Sequence, residues 1–121
     1  MTVTEIDSLA RNKEKVKQLI GITTDGKIIF KMDTTKLLAK ETICLYMIGK
    51  VYAKIAGYID AETVTNKELI EALRLPEGTI GYTLKELRDE KLIIAEKTGV
   101  HHISHDKIGA VVDNILKKAE T

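Results

Sequence analysis

The three histidines of the chain, His101, His102 and His105, lie close together and are its first candidates for metal or acid–base chemistry. In a strand, His101 and His102 point to opposite faces, so they cannot easily bind one metal ion together. No carboxylate is clearly arranged with them, and the single cysteine, Cys44, lies elsewhere in the sequence. We therefore expect no metal site. The cluster is either pH-sensitive charge near Lys97 on a surface that meets a partner, or a set of ordinary exposed residues.

No catalytic pattern stands out elsewhere in the sequence. A phosphate-binding loop, a nucleophile elbow and an HExxH zinc motif are all missing. The adjacent carboxylates Asp89 and Glu90 diverge on a helix and would not share a substrate. The basic run from Arg11 to Lys17 is compatible with phosphate contact, although such runs usually form a solvated helix face. We expect a protein that is not an enzyme, without catalytic residues or cofactors.

The composition is typical of one globular domain in the cytoplasm. The chain has 121 residues, of which 44% are hydrophobic and 31% charged. The lone Cys44 excludes an internal disulfide and fits a reducing compartment, and the polar N-terminus does not resemble a signal peptide. The apolar run 43–59 is interrupted by Lys50 and Lys54, so it predicts a buried helix and no membrane contact. Abundant Lys, Glu and Ile hint at a thermophilic source.

The charge distribution does not favour nucleic acid at first sight. The net charge is +1, and residues 1–60 carry ten Lys/Arg against seven Asp/Glu. Residues 61–121 carry nine Lys/Arg against eleven Asp/Glu. Since nucleic-acid-binding domains usually show a basic footprint, any such footprint in the second half has to be local.

The stretch 64–94 predicts two helices, a tight turn and a strand. Thr65 is a good N-cap for the first helix, and Glu68 is placed to complete a capping box. Pro76 suits the start of the second helix. In that helix Ile80, Leu84 and Leu87 follow a spacing of i, i+4 and i+7, which predicts a core-facing side.

These residues carry a family resemblance. The segments NKELIEAL, LPEGTIGYTLKEL and RDEKLI, within a region from about Lys40 to Ser104, resemble the winged helix-turn-helix family of bacterial and archaeal transcription regulators. The resemblance implies an α+β winged helix-turn-helix fold that binds double-stranded DNA. Helix 76–91 would enter the major groove, and wing 93–104 would contact the flanking backbone. The alternative is a protein–protein interaction module that uses the same face without specific DNA binding.

Helical geometry places the DNA-contacting side of helix 76–91 opposite its apolar side. At about 100° per residue the outward direction holds Gly78, Tyr82, Lys85 and Asp89, with Gly81 and Glu86 beside it. The resemblance extends the contacts to further residues of the helix and the wing. The predicted DNA-binding residues are Gly78, Thr79, Gly81, Tyr82, Lys85, Arg88, Lys97 and His101.

The remaining segments predict an N-terminal extension, 1–39, joined to a winged domain with a C-terminal helix, 40–121. Residues 4–20 read as a helix that Gly21 stops. Asp25-Gly26 predicts a type I′ hairpin turn, the alternative being a single strand, 27–32, added to the wing sheet. Asp33 or Thr34 is expected to cap a short helix or connector, 33–39.

Two further helices carry the prediction of a homodimer. Residues 40–58 form a helix so apolar that two of its sides must be covered, by the rest of the domain and by the N-terminal segment or a second subunit. Tyr46, Tyr52 and Tyr58 on this helix read as core or interface residues. The last helix, capped by Ser104, has a clean apolar face; we expect Ile108, Val112 or Ile115 to contribute to a dimer.

Overall fold

The computed structural model describes residues 3–120, with side chains from residue 6 onward. Residues 1, 2 and 121, the ends of the two predicted segments, lie outside the described residues. The helices are α1 (Val3–Leu19), α2 (Ala39–Ile55), α3 (Asn66–Leu73), α4 (Glu77–Asp89) and α5 (Ile108–Ala119). The strands are β1 (Ile20–Ile22), β2 (Ile28–Phe30), β3 (Val64–Thr65), β4 (Ile93–Lys97) and β5 (Val100–Ile103). The predicted α+β class is confirmed.

The strands form two separate antiparallel sheets. β1 and β2 make a hairpin, with Ile20 opposite Phe30 and Ile22 opposite Ile28. The second sheet has the order β3-β5-β4, so the hairpin of β4 and β5 gains the two-residue strand β3 at its β5 edge. The predicted two-stranded unit 93–104 is therefore confirmed as a hairpin, within a sheet of three strands.

The N-terminal helix does not stop at Gly21. α1 passes directly into β1, and Gly21 lies inside that strand without a positive φ angle. Lys31 N donates a hydrogen bond to the Leu19 carbonyl at 2.8 Å, so the hairpin ladder continues back to the last residue of α1. Strand pairing therefore supplies a hydrogen-bond donor to the carbonyl group at this helix end. The prediction of Gly21 as a helix cap was wrong.

The hairpin prediction for this region is confirmed, whereas its turn type was wrong. Gly26 N donates to the Thr23 carbonyl at 2.9 Å, which puts Thr24 and Asp25 at the centre of the turn. Gly26, with φ of 88°, is the residue of the turn that has a positive φ. A type I′ turn needs two central residues of positive φ, so the geometry is that of a three-residue loop whose glycine forms a bulge.

A single chain covers both sides of α2. Helix α1 and the hairpin pack on one side, where the Tyr52 hydroxyl donates to the Leu9 carbonyl at 2.7 Å. Helices α3, α4 and α5 pack against the rest. The expected dimer residues Ile108, Val112 and Ile115 are each 0% exposed within one chain. Their assignment to a dimer interface was wrong, because α1 and α2 already cover the apolar face of α5; the homodimer itself stays a prediction.

Of the two predicted helix caps Asp33 and Ser104, the first is confirmed and the second was wrong. Asp33 caps a short 3-10 helix, Thr34–Lys36, by accepting from Thr35 N at 3.0 Å. Ser104 precedes a second 3-10 helix, His105–Lys107, and makes no side-chain capping bond to it. α5 proper begins only at Ile108, so Ser104 does not cap it as predicted.

Candidate nucleic-acid interface

The connection between α3 and α4 fixes the position of the exposed helix face. Thr65 caps α3 by accepting from Glu68 N at 3.1 Å, as its sequence context predicts. α3 ends at Arg74, whose φ of 55° is the left-handed conformation common at helix C-termini. Pro76 then precedes the first residue of α4. The chain therefore changes direction within a few residues between the two helices.

The predicted capping box at α3 forms only by half. The Glu68 carboxylate accepts from the Tyr46 hydroxyl at 2.6 Å and pairs with Lys50 Nζ at 2.9 Å. Both partners belong to α2, so Glu68 ties α3 to the central helix instead of returning to the backbone of Thr65. Burial, followed by this bond to Glu68, raises the pKa of Tyr46, which keeps its hydroxyl a donor.

The two sides of α4 are as different as its spacing predicts. Ile80 and Leu87 are 0% exposed and Leu84 1% exposed, which confirms the expected core side. On the other side, Tyr82 is 72% exposed, and Gly78, Gly81 and Lys85 are exposed with it. Thr79 is half-buried between the two sides.

Neither exposed glycine of α4 is required by the chain's own packing or conformation. A Cβ atom built at Gly78 or Gly81 would meet nothing within 4 Å apart from their own helix backbone and chain neighbours. Neither residue has a positive φ angle, so alanine is conformationally acceptable at both positions. Two glycines that each cost the helix about 1 kcal/mol relative to alanine are thus unexplained by contacts within residues 3–120.

Several cations of this region are unpaired. Lys85, Arg88 and Lys97 are exposed, and none of them forms an ion pair with any residue of the described chain. Lys97 ends β4, just before the turn at Gly99, whose φ is 77°. Exposed and unpaired cations remain available to an external anion.

Three acidic residues of the second half of the chain, unlike the unpaired cations, form ion pairs with lysines of α2. The pairs are Lys40–Glu90 at 3.1 Å, Lys50–Glu68 at 2.9 Å and Lys54–Glu62 at 4.0 Å. Such pairs contribute little to stability where they are exposed, but they offset negative charge locally. α4 and β4 themselves still carry Glu77, Glu86, Asp89 and Glu96 beside Lys85, Arg88 and Lys97, so positive charge on this surface is confined to the positions of its cations.

A groove beside the C-terminal end of α4 adds two cations that the sequence did not single out. Its volume is about 560 Å³, and it lies between that end of α4, strand β4 and the start of the 3-10 helix before α5. Arg88 lines it together with Lys91 and Lys107, and Asp106 also lines it. Lys91, which has a φ of 62°, was visible in the sequence as a cation just past the helix. The proximity of Lys107 depends on the fold and left no local signal.

His101 does not belong to the exposed surface. It is 3% exposed, and its Nε2 lies 3.0 Å from Asn66 Oδ1. Since a carbonyl oxygen only accepts, Nε2 carries the proton and donates to it. Burial, followed by the nearby Arg88 guanidinium, lowers the pKa of His101. The prediction that His101 contacts DNA was therefore wrong: its side chain connects β5 to the start of α3.

The other two histidines are also engaged separately. His105 Nε2 lies 2.6 Å from Glu62 Oε2, and both side chains are largely buried. His102 Nε2 lies 3.7 Å from Glu96 Oε1. Among the side chains that the structure describes, those of residues 6–120, no group of three His, Cys, Asp or Glu is placed to hold a metal ion. In that same range no helix is long and apolar enough to cross a membrane. Burial raises the pKa of the Cys44 thiol to about 12, so the thiol is not a reactive nucleophile.

Comparison of the chain with protein-family models, with curated proteins and with solved structures found no match.

Proposed function

We propose that the protein binds double-stranded DNA and acts in transcriptional regulation, with α4 in the major groove and the β4–β5 hairpin on the flanking backbone. The observation that carries the proposal is the outward face of α4, where the exposed Gly78 and Gly81 lie on the same helix as Lys85 and Arg88, two exposed cations that form no ion pair within the described residues. The order of α3, a short turn, α4 and a two-stranded hairpin supports a winged helix-turn-helix arrangement.

The exposed residues divide into two kinds of contact. Gly78 and Gly81 let the helix backbone come close to the duplex, because no side chain holds it away. In this arrangement Thr79 and Tyr82, which lie in the N-terminal half of α4, contact bases or phosphates. The side chains for phosphate contact are Lys85, Arg88 and Lys97, joined by Lys91 and Lys107 from the neighbouring groove.

The test is the salt dependence of duplex binding. The triple variant Lys85→Ala/Arg88→Ala/Lys97→Ala should bind all duplex sequences more weakly than the wild type. If each cation binds one phosphate, the slope of log affinity against log salt concentration should fall by about one unit for every cation that is replaced. Fluorescence anisotropy with a labelled duplex, measured at several salt concentrations, gives both quantities.

The chain offers a matched control for this variant. Lys13→Ala/Lys17→Ala/Lys31→Ala removes the same formal charge from α1 and the residue after β2. The control should keep the wild-type slope, because its lysines lie on other elements than α4 and β4. Equal affinity and slope in both triple variants and the wild type would overturn the proposal.

One observation also favours a protein partner. Tyr82 is 72% exposed and is flanked along the same face by two exposed glycines, and exposed tyrosines are frequent anchors of protein interfaces. A photo-crosslinking amino acid at position 82 separates the two functions in the native host. Adducts with nucleic acid support the DNA proposal, whereas adducts confined to one polypeptide species support the protein-docking function.

A further inference from the structure

A second surface feature lies on elements other than α4. α1, the β1–β2 hairpin and the C-terminal end of α2 enclose a groove of about 690 Å³. This volume falls within the range of small-molecule sites, which are mostly apolar with a few polar groups. The aliphatic residues that line the groove include Ile6, Leu9, Val16, Ile20, Ile22 and Ile55.

The groove leaves apolar surface open to solvent. Leu9, Val16 and Ile20 form a buried floor, while Ile6 and Ile55 at the edges are 51% and 53% exposed. These two edge residues are among the most exposed large hydrophobic side chains of the described chain. An aliphatic ligand that covered them would remove this surface from water, which is a favourable change.

The described charged residues that line the groove are all lysines. Lys13, Lys17 and Lys31 line it, and no Asp or Glu of the described residues does so. Lys31 Nζ donates to the Lys17 carbonyl at 2.8 Å, which holds this ammonium group at the rim. Lys17 pairs with Glu14 at 3.4 Å, and both side chains of this ion pair are largely exposed. Two lysines of the basic run 11–17 therefore line an apolar groove.

We propose that this groove binds a small amphiphile made of an unbranched aliphatic chain and a carboxylate head. The chain lies along the floor formed by Leu9, Val16 and Ile20, and the head lies at the lysine rim. An aliphatic cation would be repelled by the three lysines that line the groove. The site stands apart from the proposed DNA interface, so it adds a ligand to the protein without depending on the function proposed for α4.

Titration calorimetry of the full chain with octanoate, decanoate and dodecanoate, below their micelle concentrations, tests the apolar part. Each methylene buried on the floor should improve affinity about fourfold, so each step of two carbons should improve it about fifteenfold. The expected stoichiometry is one ligand per chain. Decyltrimethylammonium serves as the charge-reversed probe and should not bind measurably.

Two variants test the position of the ligand. Lys13→Ala/Lys17→Ala/Lys31→Ala should weaken decanoate binding at least tenfold, by about 1.4 kcal/mol or more, yet leave binding of 1-decanol unchanged. Ile55→Glu should abolish decanoate binding, since it places a carboxylate at the edge of the groove. Ile94→Glu is the matched control, because Ile94 is 47% exposed on β4, away from the groove, and should bind decanoate like the wild type.

Several results would overturn the proposal. They are the lack of saturable decanoate binding, an affinity independent of chain length, and equal binding of the cationic probe. Sedimentation provides another: a wild-type dimer that Ile55→Glu dissociates would assign the groove to a second copy of the chain. The chain-length series uses the wild type, so a variant that fails to fold does not remove the test. Because no DNA is present, failure here is distinct from failure of the proposed function.

Discussion

Replacing Gly81 by alanine is expected to stabilise the protein and weaken its binding to DNA. A Cβ at this position meets nothing within 4 Å outside the local backbone, so the substitution introduces no overlap. Alanine is favoured over glycine within a helix by about 1 kcal/mol. For a domain of this size, that gain corresponds to a rise in melting temperature of about 3–5 °C.

Gly49 provides the matched control inside the core. It lies in α2, where an added Cβ would come within 2.8 and 2.9 Å of two carbon atoms of Ile28 and 3.0 Å of Ile20 Cδ1. The side chains of Ile28 and Ile20 would have to shift, and overpacking of this kind costs about 1–3 kcal/mol. This cost equals or exceeds the helix-propensity gain, so Gly49→Ala should melt at or below the wild-type temperature.

The assay for this pair combines urea unfolding, calorimetric melting and duplex binding. If the α4 backbone lies close to the DNA, the methyl group of Gly81→Ala should weaken binding about tenfold, or about 1.4 kcal/mol. A lower melting temperature for Gly81→Ala would refute the open space seen around this residue. Higher stability with unchanged duplex affinity would refute the close approach and weaken the assignment of α4 to the major groove.

Two titratable groups give further predictions. Burial and Arg88 hold the pKa of His101 below 6.5, so the imidazole binds a proton more readily in the unfolded chain than in the folded protein. The free energy of unfolding should therefore not depend on His101 above pH 6.5, and it should fall as the pH drops below that value. His101→Gln should remove that part of the fall in urea unfolding across this pH range. The Glu41 carboxylate, 6% exposed, accepts from Lys118 Nζ at 2.6 Å and Asn114 Nδ2 at 2.8 Å. Glu41→Gln should therefore lose about 1–3 kcal/mol in urea unfolding, whereas Glu14→Gln at an exposed site should change stability little.

Features that depend on residues close together in the sequence were predicted reliably. The spacing of Ile80, Leu84 and Leu87 predicts both the existence of α4 and its buried side, because a helix repeats its faces about every 3.6 residues. The hairpins were accessible in the same way, since Gly26 and Gly99 supply the positive φ angles that their turns need. Each of these predictions depends on residues only a few positions apart.

Features that depend on distant residues were not predictable from local pattern. A strand pattern does not reveal that β3 pairs with β5 and contributes to the burial of His101 against Asn66. The apolar face of α5 has the same appearance whether α1 or a second subunit covers it. The hydrogen-bond partners of Glu68 were likewise not predictable, because Tyr46 and Lys50 are on α2. Capping rules consider only the residues of one helix and not competing partners on another.

The proposed DNA interface has two features, its cations and the glycines of α4, and different substitutions test them. Electrostatic attraction to DNA can therefore be distinguished from close approach of the helix backbone. Replacing Lys85, Arg88 and Lys97 removes counterion release, so it must change the salt slope if they contact phosphates. Gly81→Ala leaves every charge in place, so close approach predicts weaker binding at an unchanged slope. A surface that only attracts DNA electrostatically would show the first effect without the second. A helix seated in the groove must show both, because its backbone can come near the duplex only where side chains are absent.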